Sequence, residues 1–64
     1  MDTAQHELIW RLCTEAGVIF EDASATAVLI RRVPSGDLAA TIRELRAMTY
    51  RAETMLAAAS SLIE

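Results

Sequence analysis

The chain contains no lysine, one cysteine, one proline, two glycines, one histidine and three aromatic residues among its 64. Each scarcity removes something. A single cysteine, Cys13, rules out an intrachain disulfide. Cys13 and His6 are the only soft ligands, and a structural metal site needs several Cys, His or carboxylate side chains in clustered spacing. No metal and no cofactor is therefore expected. Gly17 and Gly36 stand alone, so there is no glycine-rich loop to cradle a phosphate. Six arginines against nine acids leave a net charge of −3, without the broad positive field that draws a protein to nucleic acid.

Long apolar runs are also missing. Runs such as Ala16–Phe20 (counting Gly17) and Ala27–Ile30 fall far short of the roughly 20 residues that span a bilayer. The opening "MDTAQHELIW" lacks the positive start and apolar core of a secretory signal. The expected setting is cytoplasmic, away from membranes.

What the chain does have is apolar surface: 53% hydrophobic residues against 23% charged. At this length it forms one small helical domain, residues 1–64. A chain this small buries only about 60% of its unfolded surface, and the gain from burial barely offsets the cost of ordering the backbone. With disulfides and metals excluded, association with another chain is the remaining source of stability.

Punctuation predicts three helices. Asp2 and Gln5 have the spacing of a capping box, and Leu8, Ile9, Leu12, Cys13 and Ala16 recur at helical intervals. Gly17 stands where a C-cap glycine belongs, giving a first helix over about 3–16. Glu21 and Asp22 suit a first turn and Arg31 and Arg32 a last turn. With Phe20, Ala23, Ala27 and Ile30 as its apolar stripe, a second short helix covers about 21–33, and Pro34 ends it. Ser35 or Asp37 then caps a long third helix, about 36–63. Its strongest signal is a heptad seam, Leu38, Ile42, Leu45, Thr49, Ala52, Leu56, Ala59 and Ile63, stepping by four and three without a break. The expected architecture is all-α, a helical hairpin or three-helix protomer in a homodimeric bundle, with that seam as the oligomer interface.

Residues that could carry chemistry are few. His6 and Trp10 lie one helical turn apart, and one histidine without a positioned partner makes no general base. Cys13, within the apolar stripe, is expected to pack in the core as free cysteines usually do. The stretch around Gly17 has a helix–turn–helix rhythm. Its recognition helix would, however, begin with Glu21 and Asp22, where phosphates and bases call for cations and amides.

These features favour a non-enzymatic interaction protein: an adaptor, inhibitor or accessory subunit that homo-oligomerises and binds a protein partner by helix packing. Trp10, Phe20, Met48, Tyr50 and Met55 are the candidate contacts, tryptophan and tyrosine being favoured interface anchors. The alternative is a small dimeric nucleic-acid-associated regulator that uses Arg31, Arg32, Arg43, Arg46 and Arg51.

Overall fold

Asp2 opens the first helix in the way its spacing with Gln5 predicts. Its carboxylate accepts a hydrogen bond from the Gln5 backbone N–H at 2.8 Å, and the Gln5 side-chain oxygen accepts from the Asp2 N–H at 3.2 Å. Both donors would otherwise be orphans of the helix end. Asp2→Ala should lower stability by about 1 kcal/mol, read as a fall in the urea midpoint, whereas an unchanged midpoint would mean the first turn is frayed in solution.

The computed structural model describes residues 1–63. It contains two α-helices of equal length, α1 (Thr3–Val28) and α2 (Leu38–Ile63), each of 26 residues. They are joined by two single 3-10 turns, Ile30–Arg32 and Ser35–Asp37, and no strand is present among the described residues.

The two short helices expected over 3–16 and 21–33 are therefore one helix. Gly17 does not stop it. A glycine C-cap works by taking a positive φ, and no described residue has one. A glycine inside a helix costs about 1 kcal/mol against alanine. That is little beside the burial gained by carrying Ile19, Ala23 and Thr26 onward along the face begun by Ile9, Leu12 and Ala16. The α-helix also stops earlier than Pro34 requires, at Val28. Arg31 and Arg32 thus sit in a 3-10 turn of the connector and not in its last turn. Ser35, Gly36 and Asp37 form a second such turn that leads straight into α2, with the Asp37 N–H donating to the Pro34 carbonyl at 2.8 Å.

Each helix is about 39 Å long at 1.5 Å per residue, and the Cα trace measures 49 × 15 × 11 Å. The two rods must lie side by side, and the short connector makes them antiparallel. Burial identifies the facing surfaces. On α1 the covered positions are Gln5, Ile9, Leu12, Ala16, Ile19, Ala23 and Thr26, continued by Ile30 of the connector; on α2 they are led by Leu38, Thr41, Leu45, Met48, Ala52, Met55, Ala59 and Leu62. Both sets alternate steps of three and four, the signature of an antiparallel coiled-coil pair. Ile30 meets the level of Leu38 next to the turn, and Gln5 meets the level of Leu62 at the open end.

The centre of this seam is made of small side chains. Among the described residues only Ala16, Met48, Ala52 and Ala59 are buried. Alanines let the helices approach closely, but they contribute little apolar area. The radius of gyration is 15.0 Å, against about 11 Å for a compact domain of this length.

Candidate interaction surface

Both helices carry an apolar face wider than one neighbour can cover. On α2 each heptad presents three adjoining positions: Leu45, Met48 and Thr49, then Ala52, Met55 and Leu56, then Ala59, Leu62 and Ile63. On α1 the equivalent sets are Leu12 with Cys13, Ile19 with Phe20, and Thr26 with Ala27, each beside Ile9, Ala16 or Ala23. A helix facing one partner needs two positions per heptad, and a third widens the stripe towards a second neighbour. The third position follows the seam residue by one step on each helix. The helices share one handedness and run in opposite directions, so that step turns both towards the same side. His6, Cys13, Phe20 and Ala27 from α1 thus line one edge of the hairpin together with Ile42, Thr49, Leu56 and Ile63 from α2.

This apolar edge is open. Phe20 is 45% exposed, Ile42 50% and Ile63 65%. Cys13, expected in the core, is exposed here, because the close helix approach is made by its neighbours Leu12 and Ala16. The Thr49 hydroxyl donates to the Leu45 carbonyl at 2.9 Å, so it meets its hydrogen-bonding need within its own helix and leaves its methyl for packing. The opposite edge differs in its middle, where it carries Glu15 and Asp22 from α1 and Glu44 and Arg51 from α2, with Leu8 and Leu29 exposed towards its ends.

The predicted seam divides accordingly. Leu38, Leu45, Ala52 and Ala59 are covered by α1 of the same chain, while Ile42, Thr49, Leu56 and Ile63 stand along the apolar edge. The candidate contacts divide too. Trp10, Phe20 and Tyr50 are exposed, but Met48 is buried and Met55 half-buried between the helices, so neither methionine is open to a partner on the free hairpin. Sequence reasoning missed the edge formed by Cys13 and Phe20 with Ile42. The three-position pattern, present in both helices, was the signal that could have shown it.

Trp10 stacks on His6, ring centroids 5.9 Å apart and planes 17° from parallel. The pair runs from the apolar edge, at His6, to the outer side of α1, where Trp10 stays 64% exposed. Among the arginines, Arg43, Arg46 and Arg51 line one shallow open depression on α2 with Tyr50 and Glu53. Arg31 and Arg32 lie apart from it, in the connector. The unbroken α1 removes the turn that a helix–turn–helix motif requires.

Among the described residues no three His, Cys, Asp or Glu side chains cluster as a metal site would require, and no helix is long and apolar enough to cross a membrane. The chain matches no protein-family model, no curated protein and no solved structure.

Proposed function

We propose that this chain is a small non-enzymatic interaction protein, an adaptor, inhibitor or accessory subunit of the cytoplasm. In this reading it self-associates and binds a protein partner by helix-on-helix packing. The observation that carries it is the uncovered third apolar position on both helices. A hairpin needing only itself would place polar residues there, as the middle of the opposite edge does with Glu15, Asp22, Glu44 and Arg51. Tyr50, exposed and away from the apolar edge, is the partner anchor, and Trp10, exposed beside that edge, is shared with self-association, both being of the residue types that dominate interface energies.

The test is co-purification from the native host with tagged wild type and with Trp10→Ala and Tyr50→Ala variants of equal helicity. A protein held by the wild type and lost with Tyr50→Ala supports the reading. Capture that is identical for all three, or no capture at all, counts against it.

The grouping of Arg43, Arg46 and Arg51 beside Tyr50 favours one further reading, a dimeric nucleic-acid-associated regulator. Phosphate contacts release counterions, so retention on generic DNA must fall steeply with salt. Retention at low salt that Arg46→Ala abolishes would support this reading, and free passage at low salt would remove it.

A further inference from the structure

We propose that a second copy of this chain packs across the apolar edge, with a two-fold axis crossing α1 at Gly17. This placement rests on the self-association reading above.

Surface area gives the first reason. A compact monomer of 7.0 kDa exposes about 4,000 Å², whereas the hairpin exposes 4935 Å². The elongated hairpin thus has surface to spare of the order of the roughly 800 Å² that each partner of a specific, stable interface contributes.

Gly17 gives the second. It lies mid-helix and exposed, in the seventeenth position of a chain whose α1 has no turn there. A methyl group added at Gly17 would meet nothing within 4 Å. Nothing inside the hairpin therefore requires a glycine, although it weakens the helix. A helix backbone crossing closely at that point requires one, since glycine marks sites of close backbone approach.

The third reason is self-complementarity. Along the outer side of α1, Trp10, Cys13, Gly17, Phe20 and Ser24 step by three and four, forming a second seam. A two-fold contact pairs each position with another of the same patch. Antiparallel pairing about Gly17 sets Phe20 level with Cys13 of the second copy and Trp10 level with Ser24. Large side chains meet small ones throughout, and glycine meets glycine at the axis. The corresponding outer positions of α2 are Arg46 and Glu53, so the contact is centred on α1.

The opposite edge is a poor alternative. Asp22 and Glu44 occupy neighbouring levels there, and a copy docked on it would gather acids, which repel.

The experiment is sedimentation equilibrium of the full chain at micromolar concentration, with urea unfolding alongside. The wild type should sediment at twice its 7.0 kDa mass. Gly17→Ala, which keeps the helix, should weaken self-association by roughly tenfold or more, because added methyls overpack a close contact. Phe20→Glu should give a monomer, and Tyr50→Glu on the outer face of α2 should stay dimeric. Cys13 alkylation should be slow in the wild-type dimer and fast in Phe20→Glu.

A dimer that Gly17→Ala leaves unchanged or tightens, or whose Cys13 reacts like a free thiol, overturns the placement but not self-association. A wild-type monomer with full helicity overturns both. If Phe20→Glu fails to fold, Gly17→Ala and the Cys13 rate still decide.

Discussion

Replacing Ala52 with aspartate is expected to abolish the hairpin. Ala52 is 0% exposed, at the level of Ala16, where two helices meet through alanines with no room for a polar neighbour. The carboxylate would be buried with nothing to pair it. An uncompensated buried charge costs about 3–5 kcal/mol, as much as the roughly 3–5 kcal/mol that the core of a domain this small supplies. Far-UV circular dichroism should show most helix lost at room temperature. Ala47→Asp, an exposed position on the same helix, should stay folded, with an effect below about 1 kcal/mol. Equal effects at the two positions would mean that the helices do not pack through Ala52.

Met48→Ala should be the next most damaging change. Met48 is the one large side chain among the four buried residues, and it fills the layer it shares with Ile19 between alanine layers. Truncating a buried methionine costs about 2–5 kcal/mol, through lost burial and the cavity left behind. Its 9% exposure and the narrowness of the hairpin allow some collapse, which places the expected loss at about 2–3 kcal/mol. Urea unfolding should show a lower midpoint with an unchanged slope. Ile63→Ala, at 65% exposure, should cost far less in the isolated hairpin. If the order were reversed, the seam would run through the other set of positions.

That pairing of Met48 with Ile63 marks the limit of what the sequence made legible. The all-helical fold, the capping box of Asp2 and Gln5, and α2 as one uninterrupted rod follow from local signals: cap spacing, periodicity, and no proline or glycine after Gly36. The seam on α2 was half legible. Leu38, Leu45, Ala52 and Ala59 belong to either of two stripes, one completed by Ile42, Thr49, Leu56 and Ile63, the other by Thr41, Met48, Met55 and Leu62. Hydropathy favours Ile42 over Thr41 and cannot see where the other helix lies. Nor could it see that Thr41 would pass its hydroxyl back to the Asp37 carbonyl, at 3.0 Å, and so pack as an apolar residue.

Gly17 was misread for a related reason. A lone glycine is a helix stop only if the chain turns positive in φ there. Whether it does depends on the packing of Ile19, Ala23 and Thr26 further along, which no local signal reports. Once α1 is continuous, Cys13 and Phe20 fall beside the seam and not in it, and the apolar edge appears.

The two short turns of the connector also set an order of events in time. Ile30 and Leu38 are eight residues apart in sequence, whereas Gln5 and Leu62 are fifty-seven apart. Closing the longer loop first would cost about 1.7 kcal/mol more in chain entropy. The hairpin therefore zips from its connector, each layer shortening the loop that the next must close. Layers near Ile30 and Leu38 govern how fast the chain folds, and layers near Gln5 and Leu62 govern how fast it opens. Pro34, silent in the folded seam, stiffens the segment where that zipper starts.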